Sequence, residues 1–131
     1  MTYAHIPDEN FRADLNAELK QAEDAQITIE QLNGLTGKLF VYVEDIKDLT
    51  GAEHLINLTW LDLTNNQISD LNPLANLKNL EGLGLRNNQI SDLNPLANLT
   101  NLDMLYLRDN PIADADVEDL KKHLPNTKII Y

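Results

Sequence analysis

Asn65-Asn66-Gln67-Ile68-Ser69-Asp70-Leu71-Asn72-Pro73-Leu74-Ala75-Asn76-Leu77 recurs without a change as Asn87-Asn88-Gln89-Ile90-Ser91-Asp92-Leu93-Asn94-Pro95-Leu96-Ala97-Asn98-Leu99. A block repeated at a fixed spacing of 22 residues marks a tandem array, in which each unit buries its apolar side only against its neighbours. Outward from this block the period persists. Leu58, Leu80 and Leu102 fall in one column, followed by Leu61/Leu83/Leu105, Leu63/Leu85/Leu107, Asn66/Asn88/Asn110 and Ile68/Ile90/Ile112. Run backwards, it places Thr36, Leu39, Val41, Ile46, Leu49 and Leu55 in the same columns, with Glu44 where the asparagine belongs. Run forwards, it brings Leu124, Thr127 and Ile129 into register, so that Thr127 to Tyr131 supplies a closing strand. The array is expected to hold about five parallel strands.

The unit Leu-x-x-Leu-x-Leu-x-x-Asn-x-Ile alternates inward leucines with outward side chains, as a strand with one buried face requires. Its column asparagine stands where the chain turns out of the strand, and an amide there satisfies backbone groups that the turn leaves unpaired. The expected fold is α/β: a right-handed leucine-rich-repeat solenoid with parallel strands on the concave face, 3-10 or irregular convex segments, and helical caps at both ends. Asp48, Asp70, Asp92 and Asp114 form a further column just before the convex segments. Aligned carboxylates suit calcium, but an aspartate opening a short helical turn accepts backbone N–H bonds, and that role is the one expected.

A solenoid exposes its core at both ends unless something covers it. Asp8 to Gln21 carries Phe11, Leu15 and Leu19 at helical spacing, and Thr28 to Gln31 reads as a capping box that opens a second short helix. Val117, Leu120 and Leu124 share a face of a last helix that Pro125 ends. One domain is expected, with residues 1–35 as a helical N-terminal cap, 36–112 as repeats and 113–131 as the C-terminal helix and closing strand, so the array is closed at both ends.

Composition narrows the function. A net charge of −11 repels phosphate-rich partners, so nucleic acid and anionic lipid are excluded as first choices. No apolar run is long enough to span a bilayer, and no membrane insertion is expected. Without cysteine there is neither a disulfide framework nor a thiolate nucleophile or metal site. His5, His54 and His123 fall in the cap, the first convex segment and the last helix, too scattered for a shared metal or proton relay. No phosphate-cradling loop or nucleophile elbow occurs, so the reading is non-enzymatic, with no cofactor and no metal. The sequons at Asn57 and Asn98 are position-filling residues of the repeat unless the chain meets a eukaryotic secretory pathway.

Outward positions on successive strands stack into columns across the concave face. Those columns are Lys38, Trp60, Gly82 and Met104; Phe40, Asp62, Gly84 and Tyr106; and Tyr42, Thr64, Arg86 and Arg108. An exposed sheet face has no folding reason to gather Trp, Phe, Tyr and Met, whereas interface centres are enriched in them and in Arg. Gly82 and Gly84 remove two side chains from a middle strand and are expected to leave a depression walled by Trp60 and Phe40 on one side and Met104 and Tyr106 on the other. The alternative is that glycine is merely tolerated there and that aromatics favour strands anyway. Arg86 and Arg108 either meet a partner's carboxylate or pair with Asp62 or Asp109. The candidate binding residues are therefore Phe40, Tyr42, Trp60, Asp62, Gly82, Gly84, Arg86, Met104, Tyr106 and Arg108, on a face of about 600–800 Å².

The tandem unit from Leu61 to Leu77 resembles the 22-residue leucine-rich repeats of bacterial internalin-like surface proteins, and the opening Ile6-Pro7-Asp8-Glu9-Asn10-Phe11-Arg12 resembles the cap that precedes such repeats. The resemblance implies a non-catalytic module of a longer secreted or wall-attached protein that recognises a protein partner on its concave face. The start of the chain has no basic region followed by an apolar stretch, so no export signal is expected within it. An engineered consensus scaffold and an intracellular, cytoplasmic regulatory scaffold also fit the period. Self-association through the aromatic face is a further possibility to be separated from heterotypic binding.

Overall fold

The structure, a computed structural model, describes residues 2–41 and 45–131. Helix α1 (Glu9–Glu18) starts at Asp8, whose Oδ1 accepts from the backbone N–H of Asn10 and Phe11 at 3.0 and 3.1 Å. Helix α2 (Ile29–Asn33) opens with the expected capping box: Thr28 Oγ1 accepts from Gln31 N, and Gln31 Oε1 accepts from Thr28 N. Strands β1 (Gly37–Phe40), β2 (Leu58–Asp62), β3 (Gly82–Gly84) and β4 (Met104–Tyr106) follow, then helix α3 (Asp114–His123) and strand β5 (Lys128–Ile130). Together they make one parallel sheet in chain order, the right-handed leucine-rich-repeat solenoid that the period predicts. The convex returns Ala52–His54, Asn72–Leu74 and Asn94–Leu96 are single 3-10 turns.

The columns of Leu and Ile form one continuous core, in which Leu61, Leu63, Leu83, Leu85, Leu105 and Leu107 are fully buried. Beside it runs the asparagine ladder. Nδ2 of Asn66, Asn88 and Asn110 donates back to the preceding repeat, to the carbonyls of Val41, Leu63 and Leu85 at 2.8, 3.0 and 2.8 Å. Each Nδ2 also donates within its own turn, and each Oδ1 accepts from the repeat before, as Asn88 does from Ile68 N at 3.1 Å. Leu63 O and Leu85 O thus each take two successive amides. Glu44, which occupies this column in the first repeat, lies outside the described residues.

Three features differ from expectation. The 22-residue period sets Thr127 opposite Leu105, but Ile129 is the residue that pairs there, two positions further on. The cause is α3: ten residues of helix replace a three-residue 3-10 turn, so the last return is longer. Thr127 instead bonds through Oγ1 to Leu102 O at 2.7 Å. In the aspartate column, Asp48, Asp70 and Asp92 accept the N–H two residues on, at 2.8, 2.9 and 2.9 Å, but Asp114 lies inside the first turn of α3 and caps nothing. It takes the Tyr131 hydroxyl at 2.7 Å. A second ladder, Asn57, Asn79 and Asn101, also 22 residues apart, donates to Asn33 O, Ile56 O and Lys78 O at 2.8–2.9 Å.

Candidate partner-binding face

Strand register fixes which outward side chains are neighbours. Lys38, Trp60, Gly82, Met104 and Lys128 form one row, and Phe40, Asp62, Gly84, Tyr106 and Ile130 the next. Thr64, Arg86 and Arg108 continue past the strand ends, where Asn87 N donates to Arg108 O at 2.9 Å. Tyr42, expected to start that third row, lies outside the described residues. Lys128 and Ile130 stand one row earlier on the face than a strict 22-residue count places them, because the last return is two residues longer.

The depression expected over both glycines is largely filled. A Cβ on Gly82 would collide with Trp60 Cε3, so the indole of β2 rests directly on the β3 backbone. Gly82 is a seat for Trp60 rather than an opening. A Cβ on Gly84 would lie 2.6 Å from Asp62 Oδ1, so Asp62 leans over that residue in the same way. What remains is a shallow concavity of about 300 Å³ lined by Lys38, Phe40, Trp60, Asp62, Thr64, Gly84, Arg86 and Tyr106. Gly82 and Met104 do not line it, and the indole covers Gly82.

Lys38 Nζ sits 5.4 Å from the Trp60 ring centroid, a cation–π contact that steadies the indole by about 0.5–1 kcal/mol at an exposed site. Asp62 Oδ1 accepts from Thr64 N and Oγ1 at 3.0 and 2.6 Å, which turns the carboxylate toward the strand end. The alternative pairing of the arginines is not found. Among the described residues the ion pairs are His54–Glu53, Lys121–Glu118 and Lys122–Asp119, so neither Arg86 nor Arg108 pairs with Asp62 or Asp109. Both arginines and Phe40, which is 54% exposed, reach solvent.

A second concavity of about 320 Å³ lies between Ser91–Ala97 and α3. Two of its polar groups are locally engaged: Asp92 caps its turn, and His123 Nδ1 lies 3.0 Å from Asp119 O. Among the described residues no group of three or more His, Asp or Glu is arranged to hold a metal. No helix among them is long and apolar enough to cross a membrane.

Stacked short parallel strands, an asparagine ladder through successive turns and an open face of outward side chains define the class of leucine-rich-repeat solenoids. Comparison with known proteins places the chain within that class. The family described as Leucine Rich repeats (2 copies) matches residues 56–98 and 78–126, together more than half of the chain, and the chain belongs to this family as an internalin-like domain. The solved internalin InlF of Listeria monocytogenes is 35% identical over 95% of this chain, with a TM-score of 0.86, and 36% of that protein is covered. The functional domain of InlJ from the same organism, which includes a cysteine ladder, is 31% identical over 95% of this chain and is itself covered to 26%, with a TM-score of 0.81. A leucine-rich-repeat protein of Leptospira interrogans is 32% identical over 77% of this chain, covered to 27%, with a TM-score of 0.69. The chain thus spans about a quarter to a third of these proteins. Comparison with curated proteins gives no match.

Proposed function

We propose that this domain is a protein-binding module of a secreted or surface-attached bacterial protein, and that it recognises its partner on the concave face. One observation carries the reading: Phe40, Trp60 and Tyr106 gather with Arg86 around one opening on a face that folding leaves exposed. Aromatic and Arg side chains at the centre of a surface patch are the composition of interface centres, and three of the chain's seven aromatic residues serve the sheet core nowhere. The kinship with Listeria internalins supports a role at the bacterial surface, as part of a longer chain.

The test is affinity capture from cell-surface and lysate extracts with the native domain and a Trp60→Ala/Tyr106→Ala variant, after both have been checked for fold and for mass in solution. A protein captured by the native domain and lost with the variant supports recognition on this face. Equal capture by both refutes the assignment of the site. A native dimer that the variant dissolves assigns the aromatic face to self-association instead.

A further inference from the structure

Charge is distributed over this molecule with a strong bias. The chain carries 21 acidic and 10 basic side chains, yet the outward rows hold Lys38, Arg86, Arg108 and Lys128 against Asp62, while the exposed carboxylates of Glu81 and Asp103 lie just before β3 and β4 and that of Asp109 just after Arg108. In a protein of net charge −11 the outward rows of the concave face therefore carry a positive balance, with carboxylates at their margins. Asp62 Oδ1 accepts from Thr64 N and Oγ1, and no ion pair reaches Arg86 or Arg108 from any described residue. The two guanidinium groups also stand on adjacent strands, about 4.8 Å apart at the backbone, where like charges repel until an anion comes between them.

We propose that the face takes a short acidic peptide segment of a partner protein, an apolar side chain lying against Trp60, Phe40 and Tyr106 while a neighbouring carboxylate bridges Arg86 and Arg108. This inference rests on the reading of the face as the binding site. Guanidinium groups bind carboxylates through paired N–H donors, and the aromatic opening lies immediately beside Arg86. The acidic remainder of the surface sets the length of the occupant. Five strands span only about 20 Å, and a polyanion longer than that runs onto carboxylates within a Debye length of about 8–10 Å. A nucleic acid is rejected by the same geometry that admits a few carboxylates.

Trp60 is the only tryptophan, so its emission reports occupancy of the face directly. The probes are three synthetic hexapeptides of alternating Phe with Glu, Gln or Lys, titrated against the native domain and an Arg86→Gln/Arg108→Gln variant, with amide NMR shifts mapping the contact. Expected are a saturable Trp60 response to the Glu peptide, at least about tenfold weaker binding of the Gln peptide, and a similar loss in the variant. Equal binding of all three peptides with shifts on β2–β4 overturns the acidic class and leaves the concave face standing. Shifts confined to other surfaces overturn both readings. Absence of any response to the Glu peptide at about millimolar concentration, or displacement of it by self-association of the domain, overturns the acidic occupant.

Discussion

Replacing Asn88 by alanine strips one rung from the ladder, and the hydrogen bonds dictate the cost. Ile68 N loses the Oδ1 that it reaches at 3.1 Å and becomes an orphaned buried donor, worth about 1–3 kcal/mol. Leu63 O and Leu85 O each lose one of two amides but keep the other, from Asn66 at 2.9 Å and Asn110 at 2.8 Å, so each adds only about 0.5 kcal/mol. The expected loss is about 2–4 kcal/mol, within the 5–15 kcal/mol that an ordinary domain possesses. Urea unfolding followed by far-UV circular dichroism and Trp60 emission should show a lower midpoint at an unchanged slope. The shared carbonyl makes a sharper demand: in Asn66→Ala/Asn88→Ala, Leu63 O loses both amides, so the double variant should be worse than the sum by about 1 kcal/mol. Asn101→Ala, an exposed rung with one bond of 2.8 Å to Lys78 O, should cost less than about 1 kcal/mol. An Asn88→Ala loss below about 1 kcal/mol, or a strictly additive cycle, would refute the reasoning.

Gly82→Ala should unseat the indole from β3, shifting Trp60 emission to the red while the core holds, so the urea midpoint changes by no more than about 1–2 kcal/mol equivalent. Asp8 accepts four backbone N–H bonds, from Asn10, Phe11, Lys47 and Asp48; burial raises its pKa, but these four bonds outweigh it and hold the carboxyl below its ordinary value. Its contribution is therefore full above about pH 4 and lost as pH falls through the depressed value, so Asp8→Asn should cost about 1–2 kcal/mol at pH 7 and progressively less as pH falls below about 4, measured by urea midpoints across that range. Tyr131 donates its hydroxyl proton at a site facing Asp114, whose carboxylate raises the phenol pKa. Spectrophotometric titration should show one late tyrosine that reverts in Asp114→Asn.

The repeats were legible because their determinants are local and periodic: a leucine column can be buried only if the strands stack, and an asparagine column only if the turns stack. The same logic located β1 in spite of its weak match, since Leu39 and Val41 keep the inward spacing. It failed where the return changes type, because a helix and a 3-10 turn consume different numbers of residues, and that moved Lys128 and Ile130 two positions along the face. The Asn57/Asn79/Asn101 ladder was visible as a column, but the carbonyls it reaches lie one repeat away and are revealed only by the stacking. Asn16 was hidden for a related reason: it is buried and holds Glu23 O and Ala25 O, within a cap that does not repeat. The lean of Trp60 over Gly82 depends on a side-chain rotamer, which strand periodicity does not specify.

Because every ladder amide addresses the repeat before it in the same way, the array has no privileged length. Excising or duplicating one 22-residue unit between Asn65 and Asn87 would leave each remaining amide a carbonyl to meet and each leucine a neighbour of the same shape. Such a chain widens its concave face in quanta of about 4.8 Å, one strand at a time. Recombination between identical blocks such as Asn65–Leu77 and Asn87–Leu99 supplies that change of width in a single genetic event.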